Sequence, residues 1–286
     1  MRSAPCWPPT NERNRRTNDG HWTVTSNRYR PSAFVSASAA FHFLALGSIA
    51  FKPAVWPLAV GALMVDHSAL LLGGLLPRCR VLGPNMTRVP EQEDGSRAVS
   101  LTFDDGPHPE LTPRVLDILD DHGARASFFC VGQLVGKHAP LVREMTERGH
   151  RIENHTWSHP NSFAFLLPAG LATQISQTQS IIDQVTGRAP LYFRAPAGIR
   201  SPWLDPVLHR FGLRLVSWTR RGFDTVELDS DRICRRLTKN LAPADILLLH
   251  DGGEHDATSR SAVLLDVLSR LLTDMKQKGL EAVPLP

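Results

Sequence analysis

The chain has 286 residues, 42% of them hydrophobic and 21% charged. This composition excludes a disordered tail protein and a collagen-like repeat, and it leaves ample chain for one or two domains. The net charge is +4, and six arginines (Arg2, Arg13, Arg15, Arg16, Arg28, Arg30) precede the first long apolar run. The rest is close to neutral, so no nucleic-acid-binding domain is indicated. Four scattered cysteines lack metal-knuckle or C-x-x-C spacing and do not form a disulfide framework.

Residues 1–31 read as a polar, Arg-rich tail. Ser32 to Phe51 contains no Asp, Glu, Lys or Arg, and ~20 helical residues span a ~30 Å hydrocarbon core. Lys52-Pro53 breaks the run. A second apolar segment, about Ala54 to Leu76, carries Pro57 and Asp66-His67 and ends at Pro77-Arg78-Cys79-Arg80. A cleaved signal peptide fits poorly, because ~30 polar residues precede the apolar run. A buried soluble helix is the plain alternative for the second segment, given Asp66. The expectation is a helical membrane hairpin over residues 32–80, touching the bilayer through 32–77. The Arg-rich tail would face the cytoplasm. Two spans would then return the main domain to the cytoplasmic face of a bacterial-type inner membrane, and a single span would place it opposite. Residues 81–97 read as a polar linker.

From Ala98 to Pro286 short apolar runs alternate with amphipathic stretches. Predicted strands are 98–103, 126–131, 151–154, 191–194, 213–218, 246–250 and 282–284. Predicted helices are 113–122, 140–148, 171–186, 202–211, 229–240 and 262–278. This alternation predicts an α/β domain with a parallel sheet, open or closed into a barrel.

Polar clusters follow the strands, on the face where such folds place their sites. Asp104-Asp105-Gly106-Pro107 puts two carboxylates at a strand end, where one can bind a metal and the other take a proton; alone it would read as a turn. His155 and His159 are spaced i, i+4, which on a helical turn lets both share a metal; alone they would read as surface histidines. Arg194, before the loop Ala195-Pro196-Ala197-Gly198, can orient a carboxylate while backbone N–H groups meet a substrate oxygen. His250-Asp251 ends a buried strand, and a histidine there can act as a general acid. One Asp with two His makes a plausible zinc shell with open positions.

With these motifs in order, the sequence resembles the polysaccharide deacetylase family, the NodB-homology or carbohydrate esterase family 4 group. TFDDGP, HTWSH, RAPAG and LLLHD carry the resemblance, which covers residues 97–286. It implies a distorted (β/α) barrel of about seven strands. It implies that Asp105, His155 and His159 hold one divalent metal, usually zinc, and that Asp104 is the base activating the attacking water. Arg194 would pair with Asp104, His250 would protonate the leaving amine, and the Ala197 N–H would help hold the oxyanion. The resemblance implies an N-acyl sugar as substrate; with the membrane hairpin, the expectation is an N-acetyl or N-formyl amino sugar in a glycan or a lipid-linked saccharide.

The sequence departs from the family pattern around the substrate. Ala197 stands where relatives usually carry Tyr. In the segment Trp218 to Thr225, Arg221 aligns with an Asp that tunes the histidine, and Thr225 with a groove Trp. A cation there would lower the pKa of His250, and Asp224 or Asp251 would have to compensate. Trp218, Arg221 and Asp224 are therefore expected substrate contacts, with Arg220 and Arg221 suited to a phosphate. Two alternatives stand beside the lipid-linked reading: an extracytoplasmic deacetylase of peptidoglycan or a chitin-like polymer, and a carbohydrate-binding protein without catalysis. The oligomeric state is open.

Overall fold

The structure is a computed structural model that describes residues 15–16, 22–23, 28–90, 97–253 and 257–286. The first 27 residues of the Arg-rich tail and residues 91–96 of the linker lie outside these, apart from a two-residue antiparallel ladder, β1 (Arg15–Arg16) with β2 (Trp22–Thr23).

Two long helices come next, α1 (Ala33–Phe51) and α2 (Trp56–Leu75), joined by a 3-10 turn at Pro53–Val55. Ser32 caps α1, its hydroxyl accepting the Val35 N–H at 3.1 Å. Both segments are long and apolar enough to cross a membrane, with mean hydropathy 1.7 each. Large apolar side chains on them, including Phe43, Leu58 and Val65, are exposed, unlike those of a core helix in a soluble protein.

The remaining elements alternate. They run β3 (Ala98–Asp104), α3 (Leu111–Asp121), β4 (Ser127–Cys130), α4 (Gly132–Lys137), α5 (Ala139–Glu147), β5 (Arg151–Asn154) and α6 (Pro168–Thr186). Then follow β6 (Tyr192–Phe193), α7 (Leu204–Arg210), β7 (Arg214–Leu215), β8 (Arg220–Arg221), α8 (Ser230–Thr238), β9 (Ile246–His250), α9 (Ala257–Gln277) and β10 (Glu281–Val283). The strands form one sheet, order β7-β6-β5-β4-β3-β9-β8, with β10 pairing the start of β3. Every pairing in it is parallel. The central strands β3 and β9 are buried almost throughout, as a sheet covered by helices requires. Phe103 and Phe128 stack with ring centroids 4.9 Å apart, inside a core shared with α3, α5, α8 and α9.

The sheet begins and ends on one extended stretch, because β7 and β8 both lie within residues 214–221. The described chain after the hairpin packs along this seam. Leu82 and Met86 are buried. The Met86 N–H bonds Leu215 O, the Ser217 N–H bonds Met86 O, and the Val89 N–H bonds Ala244 O, at 2.8–2.9 Å. Two elements of the α/β domain escape the sequence reading. Helix α4 is only six residues, too short for an apolar period, and β8 is a pair of arginines.

Candidate active site

Strand ends β3, β5, β6 and β9 bring the predicted residues to one place. Asp104 closes β3, and Asp105 follows in the left-handed region at φ 74°. A residue with a Cβ adopts this rarely and at a cost of about 1–2 kcal/mol. The turn sends the two adjacent carboxylates into one site. His155 and His159 are not on a helical turn, as the i, i+4 spacing suggested. They sit in a loop with positive φ at Thr156 (70°) and His159 (48°). Thr156 Oγ1 accepts the His159 N–H at 3.0 Å, and Asn154 Oδ1 accepts the Thr156 N–H at 3.0 Å.

Asp105 Oδ1 lies 3.2 Å from Nε2 of both histidines. The imidazole centroids are 4.9 Å apart. His155 directs Nδ1 at the Arg194 carbonyl, 2.8 Å away, which fixes Nε2 as its free nitrogen. Burial opposes the charge on Asp105, but the His155 hydrogen bond and the charges of His155, His250 and His159 outweigh it. The carboxyl is held below its ordinary range. Burial and the neighbouring His155 push His159 down, toward the neutral imidazole that binds metals. One carboxylate and two imidazoles converging on a partly buried point is a donor set that fits a divalent metal such as zinc.

Arg194 is 1% exposed. Its Nη1 donates to Asp104 Oδ1 at 2.6 Å and to Thr102 Oγ1 at 2.9 Å, and Nη2 donates to Ser217 O at 3.0 Å. The guanidinium lies 4.0 Å over the Phe129 ring. Asp104 Oδ1 is thereby occupied, while Oδ2 faces His155 Nε2 at 4.0 Å.

His250 is held by Asp224. Its backbone N–H donates to Oδ2 at 2.8 Å, and Nδ1 lies 3.0 Å from Oδ1. Burial lowers the histidine's pKa, but the Asp224 charge and hydrogen bond, aided by Asp104 and Asp105, raise it to about 9. Asp224 thus contacts His250 in the place the Arg221 alignment left open. Arg221 lies 5.4 Å from the Trp218 ring and 5.1 Å from Phe223, with a buried Nε that has no hydrogen-bond partner. The expected arginine pair divides. Arg220 is committed to the fold through Asp245, at 2.8 Å. Trp218 is only 7% exposed and offers no open platform. Ala197 is exposed, at φ 54° in the tight turn after Arg194.

Sequence reasoning missed Thr102, Phe129 and Pro77. Thr102 stands inside the first motif and alternates with Asp104 on one strand face, the signal that could have found it. Pro77 packs beneath the third motif. A Cβ on Gly198 would sit 2.7 Å from the Pro77 Cβ and 2.7 Å from Trp218.

The fold and the convergent carboxylate–imidazole site define a hydrolase-type α/β barrel. Comparison with known proteins gives the family. A family model described as Polysaccharide deacetylase matches residues 91–216. A chitooligosaccharide deacetylase of Bradyrhizobium sp. (strain ANU 289) is 37% identical over 203 residues, 67% of this chain and 90% of the relative. A peptidoglycan-N-acetylglucosamine deacetylase of Bacillus cereus is 33% identical over 191 residues, 66% of each chain. A solved peptidoglycan N-acetylglucosamine deacetylase superposes with TM-score 0.64 at 30% identity, over 71% of this chain and 91% of that one. The chain belongs to the polysaccharide deacetylase family. Its reaction class is hydrolysis of a carbon–nitrogen amide bond.

Proposed function

We propose that the domain removes an N-acyl group, acetyl or formyl, from an amino sugar at a membrane surface, and that its substrate is a lipid-linked saccharide. The observation that carries the reading is the buried Arg194–Asp104 pair set beside the Asp105, His155 and His159 donor set. The names of the relatives, deacetylases of chitooligosaccharide and of peptidoglycan N-acetylglucosamine, support the amino-sugar amide.

Asp105, His155 and His159 would hold one divalent metal, which when bound supplies a Lewis acid that polarises the acyl oxygen and acidifies water. Arg194 fixes one oxygen of Asp104, leaving the other to take a proton from the attacking water. The water oxygen bonds to the acyl carbon, and the N–H of the exposed residue Ala197 would hold the developing oxyanion. His250, protonated at neutral pH, gives its proton from Nε2 to the sugar nitrogen as the C–N bond breaks. Carboxylate and free amine leave.

Three observations support the lipid link. The hairpin's exit docks on the site's rim: the Arg200 N–H donates to Gly74 O at 3.1 Å, and Arg78 Nη1 donates to Thr219 O at 3.1 Å. Arg200 Nη2 also reaches Cys79 O, and Ser217 Oγ reaches Pro77 O. Loops on the same face expose Phe165, Leu167, Phe223 and Val226, the kind of apolar fringe that rests on lipid. Arg221 offers a cation beside the site for a phosphate. The two-span reading places this face on the cytoplasmic side.

The names of the relatives support a second reading, a deacetylase of chitooligosaccharide or peptidoglycan, which single-span topology would put outside the cytoplasm. The deciding assay measures acetate and formate release by the full-length protein from chitooligosaccharides, peptidoglycan fragments and a polyprenyl-phosphate-linked N-acyl sugar. Preferential turnover of the last supports the proposal, and equal or better turnover of the soluble glycans overturns it. Metal bound without turnover of any would point to a binding protein.

A further inference from the structure

The hairpin contains a polar layer that the proposed reaction does not use. His42 is nine residues from each end of α1, and Asp66 is ten residues from the start of α2 and nine from its end. The antiparallel packing brings both midpoints together. Three ionisable side chains, His42, Asp66 and His67, meet there in helices otherwise free of charge. Such groups are costly at the centre of a membrane span and are retained where they bind something.

Their arrangement is a looser relative of the catalytic donor set, with His42 Nδ1 3.8 Å from Asp66 Oδ2. One donor atom from each of the three lies within 4.8 Å of the others, as for Asp105, His155 and His159. The His42 and His67 rings are 4.9 Å apart, the same spacing as His155 and His159. His42 Nδ1 is 2.7 Å from Ser38 O, and His67 Nδ1 is 2.8 Å from Leu63 O. Each ring can thus donate its Nδ1 proton to a backbone carbonyl, which leaves Nε2 as the nitrogen with a lone pair for a metal. Ser38 Oγ donates to Asp66 Oδ2 at 2.7 Å and orients the carboxylate, leaving Oδ1 free.

We infer that His42, Asp66 and His67 form a second divalent-metal site, at the middle of the hairpin. Two imidazoles and one carboxylate suit a borderline transition ion such as Zn²⁺ or Co²⁺ rather than Ca²⁺ or Mg²⁺, which take all-oxygen shells. The ion would neutralise Asp66 and clamp α1 to α2 across the bilayer. The inference does not depend on what the catalytic domain hydrolyses.

The test uses the full-length protein in lipid nanodiscs, stripped of metal and re-equilibrated with Zn²⁺, then counted by mass spectrometry. The expected content is about two zinc ions per chain in the natural sequence. Asp105→Asn combined with His155→Ala should leave about one, and adding His42→Ala or His67→Ala should remove it. His42→Ala or His67→Ala alone should leave about one zinc with the amide-hydrolysis rate within about twofold, which also shows that these variants fold. Co²⁺ in the Asp105→Asn, His155→Ala protein should give visible ligand-field bands that His42→Gln abolishes. A natural protein holding a single zinc, all of it lost with Asp105 and His155, overturns the inference and leaves the layer as a hydrogen-bonded clamp. So does a second zinc that survives loss of both His42 and His67.

Discussion

Replacing Asp224 by Asn tests the proposed proton donor most directly. Asparagine keeps the shape and an acceptor for the His250 N–H, so the strand end should hold. It removes the largest of the negative charges that, against the opposing effect of burial, raise His250 from 6.5 to about 9, and leaves those of Asp104 and Asp105. That rise of about 2.5 pH units corresponds to roughly 3 kcal/mol favouring the imidazolium. A pKa near 9 keeps about 97% of the histidine protonated at pH 7.5, and one two units lower keeps about a quarter. The raised value makes the acid available at low pH and loses it as pH rises through about 9. The descending limb of kcat/KM against pH should therefore move to lower pH by about one to two units in Asp224→Asn. The rate at pH 7.5 should fall by up to about fourfold, with most of it recovered near pH 6. A descending limb that stays in place would refute His250 as the proton donor governed by Asp224.

Three further outcomes follow from the same contacts. Arg194→Met strands the buried Asp104 charge and should cost about 3–5 kcal/mol in chemical denaturation; adding Asp104→Asn should restore much of it, which a double-mutant cycle would read. Arg220→Ala should lower stability by about 2 kcal/mol through the fully buried Asp245 and leave KM unchanged, whereas Arg221→Ala should change stability little and raise KM for a phosphate-bearing substrate. Gly74→Ala forces a Cβ to 2.2 Å from the Arg200 carbonyl oxygen. It should loosen the hairpin's exit by about 1–3 kcal/mol, seen as faster tryptic cleavage after Arg78 or Arg80.

Much of this architecture was legible because strand ends carry their chemistry in short motifs. Ile246–His250 and Arg151–Asn154 fall where an apolar run and its polar stop place them. The histidine pair misled because equal spacing arises two ways: a helical turn, or a loop with left-handed residues at Thr156 and His159. Side-chain periodicity does not separate them. Asp224 as the partner of His250 was only one of two options, since 26 residues and helix α8 separate them in the chain. The division of Arg220 from Arg221 needed the position of Asp245, which lies just before β9 and far along the chain. Pro77 was invisible as a rim residue, because nothing local says that the hairpin folds back onto the third motif.

The strip at Met86–Val89 sets an order of events. It leaves the ribosome well before Leu215 and Ala244, the residues whose backbone it joins, and it stands directly behind the hairpin. While it waits, the edges it will cover have not been made. A hairpin already threaded into lipid would hold this waiting strip at the membrane surface and spare it encounters with other chains. Closing the sheet along this seam is a long-range step, because Met86 and Val89 join backbone more than 120 residues further along the chain. A polypeptide begun at Ala98 would have all four motifs and an unsealed wall.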